Sequence, residues 1–377
     1  MDKFLLSIAI PTYNRADLLS KTLDSVCQQV SNVASQLEIV ISNNASTDHT
    51  RQVVEKYRTK FQNFRYHENE TNTGADANIA QAFQLASGTY TWVFSDDDLL
   101  LPNTLENIIA TLSAMDIGVL FLTPKWYYSH AEDVELIDEP FACQVYDNSL
   151  VYLQEINVLV TFITSIIVNK SLLIGLNDLY IYQGTNLIQL GWTLPAIFKA
   201  RQNAKVASTV VLAQGVDEQV SYSFFRVHGT NFNLVLNGLV TSGRIPSQAR
   251  DIINYHLITQ FFPIYISPKR RFVNNEQPFS TLLSLYWRYA AFWQTLAPIF
   301  LRRLYLPTLA KANLVIKELA AKTFKKIGAI SARQQIAQTG AALQKLGGQS
   351  QLPVSCFLQN PQCITIGRRF QAQNGLR

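Results

Sequence analysis

Residues 89–102 read TYTWVFSDDDLLLP: an apolar segment runs straight into three consecutive carboxylates, Asp96, Asp97 and Asp98, and then returns to leucine. Tyr90 to Phe94 have the aromatic and β-branched composition of a buried strand. Three like charges side by side repel, and burial raises the cost unless a cation or hydrogen-bond donors answer them. The stretch therefore predicts a strand whose carboxyl end meets something positive.

The pattern repeats toward the N-terminus. FLLSIAI (4–10) reads as a buried strand ended by Pro11, and DLLSKTLDSVCQQV (17–30) has helical spacing with Asp17 as its cap. LEIVISN (37–43) is a second strand, followed by the helix STDHTRQVVEKYRTKF (46–61), capped by Ser46 or Asp48, and a short strand FRYHEN (64–69). TGADANIAQAFQLAS (73–87) is a third helix, closed by Gly88 before the strand that meets the aspartates. Strands and helices alternating at this spacing predict an α/β protein with a doubly wound, mostly parallel sheet. Ligands of such sheets bind beyond the carboxyl ends of the strands, where Pro11 to Arg15, Asn43 to Asp48 and Asp96 to Asp98 all emerge. Neither the dinucleotide glycine fingerprint nor the P-loop is present, so phosphate would be held in another way.

Mg²⁺ or Mn²⁺ accepts one or two carboxylates and completes its shell from water and substrate phosphates, so the aspartate run suits a metal–diphosphate site. An isolated acidic turn capping the next helix is the plainer alternative, weakened here by the three polar loops meeting at one edge. An EF-hand is excluded, because its acids are spaced and its turn needs a glycine.

The stretches LSIAIPTYNRADLLSKTLDSV, LEIVISNNASTDHT, NTGADANIAQAF and SGTYTWVFSDDDLLLPNTL, in this order, resemble family 2 glycosyltransferases, inverting enzymes of the glycosyltransferase A fold. The asparagine-rich second loop is most similar to abequosyltransferase-type enzymes, which add a deoxysugar to bacterial O-antigen repeats in lipopolysaccharide biosynthesis. The resemblance covers residues 4 to 125 and is faint beyond. It implies a nucleoside-diphosphate sugar donor, a Mg²⁺ or Mn²⁺ cofactor, and a hydroxyl of a bacterial, lipid-linked glycan as acceptor. It places Pro11, Thr12, Tyr13 and Arg15 around the nucleoside, Asn43 at the base-reading position with Asp48 at the end of the same loop, and Asn72, Gly74 and Asn78 in the third motif. Asp96 falls near the ribose and diphosphate, Asp97 on the metal, and Asp98 beside it. In SFFRVHGTNF (223–232), which resembles an Arg-x-His motif that closes the site, Arg226 would neutralise the departing diphosphate and His228 would complete the metal shell.

Two departures from the family matter. Many relatives have Asp where this chain has Asn43; a carboxylate only accepts from N3–H of uracil or thymine, whereas an amide can also donate to N3 of cytosine, which leaves CDP-, UDP- and dTDP-sugars all open. The region in which relatives keep a catalytic Glu-Asp pair reads YQGTNLIQLGWTLP (182–195) and contains no carboxylate. Asp178 ranks first as general base by proximity alone, ahead of Asp217 and Glu218 further along. Two other classes stay open: a nucleotidyltransferase, which lacks its triphosphate loop here, and a non-catalytic, membrane-associated nucleotide-sugar-binding protein.

The resemblance and the patterning divide the chain into a nucleotide-sugar-binding half (1–125), an acceptor-binding half (126–250), a helical, basic and aromatic C-terminal region (251–350), and an end (351–377). The second half mixes strand-like VLFLT, VLVTFITSIIVN and VASTVVLAQ with a helical LIQLGWTLPAIFKAR. The end, FLQNPQCITIGRRFQAQNGLR, resembles the opening of a hexapeptide-repeat acyltransferase at Ile364, Ile366 and Gly367, a truncated start of a left-handed β-helix that needs several stacked repeats.

At 377 residues, 48% hydrophobic and 16% charged, the chain reads as folded rather than disordered. Its net charge of +5 is uneven, with acids concentrated before residue 140 and Lys and Arg crowding Lys269 to Lys326. This argues for an anionic surface as partner and not for nucleic acid. In LYWRYAAFWQTLAPIFLRRLY (285–305), Tyr286, Trp287, Tyr289, Phe292, Trp293 and Phe300 alternate with Arg288, Arg302 and Arg303, as at a headgroup boundary. No run is apolar enough to span a bilayer, so peripheral docking on the inner face of the cell membrane is expected. The four cysteines, Cys27, Cys143, Cys356 and Cys363, show neither metal spacing nor a disulfide framework, and no signal peptide precedes the first strand, which points to the cytoplasm.

Overall fold

A computed structural model of the chain describes residues 4–304 apart from 128–130, 132–133, 136–138, 176–177, 216–222 and 267–277. The described residues fall into two compact units, one running to Ile253 and one beginning at Asn254. Asp217, Glu218, the lysine-rich segment after residue 304, Cys356, Cys363 and the β-helix-like end lie outside the described residues.

In the first unit β1 (Leu6–Thr12), α1 (Ala16–Cys27), β2 (Leu37–Asn43), α2 (Thr50–Arg58), β3 (Phe64–Glu68), α3 (Ala75–Leu85) and β4 (Tyr90–Val93) alternate as their spacing predicts. The chain continues through β5 (Leu99–Leu100), α4 (Leu105–Ala114), β6 (Val119–Tyr127), β7 (Cys143–Tyr146), α5 (Ser149–Ile156), β8 (Ile166–Asn169), α6 (Leu190–Lys199), β9 (Asn203–Gln214), α7 (Phe232–Thr241) and α8 (Ser247–His256). The strands form one mixed sheet in the order β3-β2-β1-β4-β8-β6-β9-β5, with β7 on β9. The half formed by β3, β2, β1 and β4 is wholly parallel, in register from Leu6↔Leu37 to Thr12↔Asn43, so these strands end together on one edge.

Alternation of side chains builds the layers. Leu6, Ile8 and Ile10 with Leu37, Ile39 and Ile41 face one side and pack with Leu19, Leu23, Val53, Val54 and Tyr57 of α1 and α2. On the other face Ala9 and Val40 meet Ala82, and these small residues let α3 lie close to the sheet. Helix α3 ends under Lys170, whose ammonium donates to the carbonyls of Phe83, Gln84 and Ala86 at 2.7, 3.1 and 2.6 Å.

Four local expectations change. Pro11 does not end β1; it pairs with Ser42 and the strand runs on to Thr12. The Ala9 carbonyl faces β4 and that of Thr12 faces β2, so Pro11 points to the β4 side beyond the last ladder pair, Ala9↔Val93, where a missing N–H removes no bond. Gly88 is not the C-cap of α3, which stops at Leu85; it is required because a Cβ there would lie 2.7 Å from the Ser7 nitrogen. Asp17 sits inside the first turn of α1, and the first N–H of that helix goes to Asp48 instead. VLVTFITSIIVN is a strand only from Ile166; Asn157–Thr161 and Ile163–Ser165 are 3₁₀ turns. Trp92 Nε1 donates to the Thr164 carbonyl (2.8 Å) and Ser95 N–H to the Thr164 hydroxyl (3.1 Å), so this turn is pinned against β4 just where the aspartates begin.

In the second unit the aromatic reading is corrected in part. Tyr286 of α10 (Pro278–Tyr286, after α9, Phe262–Ile266), Phe292, and Phe300 of α11 (Ala297–Leu304) are core residues and not a headgroup stripe. Tyr286 stands 6.0 Å from Phe262 and Phe300 stands 5.1 Å from Phe279, ring centre to ring centre. Trp287 stays 46% exposed, with the Arg288 guanidinium 4.9 Å from its ring. Among the described residues no helix is long and apolar enough to cross a membrane.

Candidate active site

The carboxyl ends of β1, β2 and β4 deliver three loops to one crevice, and hydrogen bonds between loops fix it. Asn14, in the left-handed conformation (φ 51°), donates its N–H to Ser46 Oγ at 2.9 Å and accepts from Thr47 N at 2.7 Å. Asp48 accepts from Ala16 N on one oxygen and from Thr50 N on the other, both at 3.0 Å, and from the Thr50 hydroxyl at 2.5 Å. Burial opposes its charge, and these bonds outweigh burial and hold its pKa below the ordinary value. Asp48 thus ties the starts of α1 and α2 together.

The cation demanded by the aspartate run is Arg15. Its Nη1 lies 3.0 Å from Asp96 Oδ1 and 3.0 Å from Asp97 Oδ2. Burial opposes the guanidinium charge, and Asp96 and Asp97 more than offset it, so the Arg15 pKa stands above its usual value. Burial raises the Asp96 carboxyl; Arg15 pulls it down and Asp97 pushes it up again, and the net direction is upward. Asp97 Oδ1 also accepts from Ser95 Oγ at 2.5 Å. Asp98 is held differently: its Oδ1 takes the Gln214 N–H from the end of β9 (3.0 Å), and its carbonyl takes the Thr22 hydroxyl of α1 (2.8 Å).

Thr12 Oγ1 and Asp96 Oδ2 are buried without a hydrogen-bond partner of normal geometry. The Asp96 carboxylate, which the Thr12 hydroxyl approaches, and the Asp97 carboxylate beside it form a hard oxygen donor set of the kind Mg²⁺ and Mn²⁺ take, so these residues fit a divalent cation. No three His, Cys, Asp or Glu groups gather as a metal site among the described residues; a cation using one or two carboxylates and a diphosphate does not need three.

Asn43 is 1% exposed; its Nδ2 donates to Tyr66 OH at 2.9 Å, and its Oδ1 accepts from Ser46 N at 3.0 Å. Asn72 Oδ1 accepts from Gly74 N and Asn44 Nδ2, and Gly74 (φ 88°) turns the chain into α3 in a conformation that favours glycine. Asn78 is fully buried, with Nδ2 3.0 Å from the Ser42 carbonyl and Oδ1 accepting from Ser42 Oγ, so it builds the crevice wall. Tyr13 is half-buried in the loop after β1.

Sequence reasoning missed Asn44, whose Oδ1 accepts from Asn69 Nδ2, Thr73 N and the Thr73 hydroxyl. The Asn43–Asn44 doublet was the available signal. It also missed Asp76, whose Oδ2 accepts from Gly184 N (2.7 Å) and Asn186 N (2.9 Å) and so holds the carboxylate-free loop of the sequence against the start of α3. Burial raises the Asp76 pKa to about 6 against the pull of these N–H groups.

The structure does not bring Asp178 to this group. It is exposed and accepts from Tyr180 N, and Tyr180 OH bonds Gln84 near the C-terminal end of α3. Gln84 lies eight residues, or about 12 Å of helix, from Asp76 at the end facing the crevice. Arg226 is exposed at the start of a π-helical turn, Arg226–Asn231. His228, in the same turn, is fully buried 4.6 Å from the Phe224 ring, and burial lowers its pKa to about 3.

A half-parallel mixed sheet with acid- and amide-bearing loops on its carboxyl edge is the architecture of glycosyltransferase A folds. Residues 7–165 of the chain match the family model described as glycosyl transferase family 2. Over 103 residues it is 40% identical to the abequosyltransferase RfbV of Salmonella typhimurium, a match covering 27% of this chain and 30% of that one. The chain spans about a third of the length of the curated relatives it matches. Among solved structures, S. aureus TarS 1–349 in complex with UDP-GlcNAc superimposes with a TM-score of 0.56 at 20% identity, covering 77% of this chain and 84% of that one. The mannosyltransferase PcManGT from Pyrobaculum calidifontis, in complex with GDP-Man and Mn²⁺, gives 0.50 at 15% identity over 93% of this chain and 89% of that one. These likenesses show the fold.

Proposed function

We propose that the protein is an inverting glycosyltransferase that moves a sugar from a nucleoside diphosphate to a hydroxyl of a bacterial, lipid-linked glycan. The observation that carries this reading is Arg15 clamping Asp96 and Asp97 at the shared carboxyl edge of β1, β2 and β4. The family domain and the nucleotide-sugar complexes named for TarS and PcManGT support it. Asp96 and Asp97 would hold Mg²⁺ or Mn²⁺, which when bound supplies positive charge to the departing diphosphate. Arg15 favours the ionised form of the two carboxylates and holds them adjacent, which lessens the reorganisation needed when the donor arrives. Asn43 at the end of β2 would read the base, and Asp76 holds the 184–186 loop at the start of α3. Direct displacement at the anomeric carbon then requires a general base for the acceptor hydroxyl. The second unit docks on anionic lipid through Trp287 and Arg288.

The test is calorimetry of nucleoside diphosphates with and without Mn²⁺ on the parent and on Asp97→Asn. The variant is expected to keep the parent's melting temperature and lose the Mn²⁺-dependent part of binding. Unchanged affinity with Mn²⁺ would remove Asp97 from the metal, and a parent that binds no nucleoside diphosphate would remove the whole reading.

A further inference from the structure

We infer that Tyr66 and Glu68 set which nucleobase the crevice accepts, by locking the Asn43 amide in one of its two orientations; this rests on the sugar-nucleotide reading above.

The chain of bonds runs from the surface inward, and the direction of each is forced. Arg51, with a side chain 71% exposed, donates Nε and Nη2 to Glu68 Oε2 at 3.1 and 2.8 Å. Tyr66 OH lies 2.6 Å from the same oxygen. The Tyr66 bond lowers the Glu68 pKa, burial opposes this, and Arg51 lowers it again, so Glu68 is ionised and can only accept. The single phenol proton therefore belongs to Glu68. Toward Asn43 the Tyr66 oxygen can only accept, and the group 2.9 Å away must be the amide NH₂. Ser46 N–H, 3.0 Å from the other end of the amide, independently requires the oxygen there. Asn43 also stands beside Glu68 and Thr12 in strand register, which fixes its backbone on both sides.

An amide that could turn over would serve N3–H of uracil with its oxygen or N3 of cytosine with its NH₂. This one cannot turn. Reversal would set oxygen against the Tyr66 oxygen and NH₂ against the Ser46 N–H, losing two partly buried hydrogen bonds and creating two repulsive contacts. The remaining amide hydrogen and oxygen lone pair are thus presented at fixed positions, and only the matching base edge satisfies both. The outermost link, between an exposed Arg51 and a partly exposed Glu68, adds little to stability, which favours orientation over packing as its role.

Calorimetry with UDP, CDP, GDP and ADP, each with Mn²⁺, tests this on the parent, Tyr66→Phe, Glu68→Ala and Glu68→Gln. The parent should prefer one base by about tenfold or more. In Tyr66→Phe, and in Glu68→Ala where Tyr66 regains a free proton, the preference should fall to within about threefold. Glu68→Gln should keep the parent's ratio, because one amide oxygen can still take the Arg51 and Tyr66 bonds. If Tyr66→Phe fails to fold, the partly exposed Glu68 position carries the test. An unchanged ratio in a folded Tyr66→Phe or Glu68→Ala, loss of the ratio in Glu68→Gln as well, or a parent that binds all four equally would each overturn the inference. A parent that binds none of the four overturns instead the sugar-nucleotide reading on which it rests.

Discussion

Arg15 is the residue on which the aspartate run depends. Its side chain is 14% exposed and shares one nitrogen between two carboxylates. Removing it leaves two adjacent buried acids without their cation, a loss in the range of 3–5 kcal/mol when one partner of a buried pair is deleted. Arg15→Met is therefore expected to lower the stability of the first unit by roughly that amount at neutral pH, with partial recovery on acidification as Asp96 takes up a proton. Urea denaturation at pH 5 and pH 7 measures both; equal loss at the two pH values would show that Arg15 contributes by packing alone. The need for this cation was legible in three consecutive aspartates, but its source was not. Arg15 lies 81 residues from Asp96 in the chain, and the parallel pairing of β1 with β4 brings the two together.

At the scale of elements, the alternation of apolar strands and amphipathic helices up to Leu85 could be read from spacing, because each strand is flanked by a turn residue and each helix buries one face. The segment 157–169 could not, since a continuous apolar run has no period to distinguish turn from strand, and its shape is fixed by bonds to Trp92 and Ser95 that sequence does not reveal. The same blindness applies to α10 and the residues after it: an aromatic and basic composition does not show what covers Tyr286, Phe292 and Phe300, and the cover is protein. Among the described residues, what remains for a membrane is Trp287 with Arg288. Flotation with anionic and neutral liposomes should show binding to anionic vesicles that weakens in Trp287→Ala/Arg288→Ala. Equal behaviour of parent and variant would assign that pair to the protein surface alone.

For the whole molecule, two buried groups give acid stability opposite slopes. Asp76 has a folded pKa of about 6 against an ordinary 3.8, so the native state holds the extra proton and stability falls as pH rises through that window. His228 has a folded pKa of about 3 against 6.5, so the unfolded state holds the extra proton and stability is lost as pH falls below 6.5. Asp76→Asn, which keeps an acceptor for Gly184 and Asn186, should therefore gain more stability between pH 4 and pH 6 than the parent, and His228→Phe should gain less. Urea midpoints across that range decide it, and parallel curves for all three proteins would refute both assignments. Asp48 has a consequence of another kind. With one oxygen on the first turn of α1 and the other on that of α2, it makes the two crevice loops fluctuate together rather than independently. A ligand that stills one loop then stills the other in the same event, so the entropy of ordering the crevice is lost once for both.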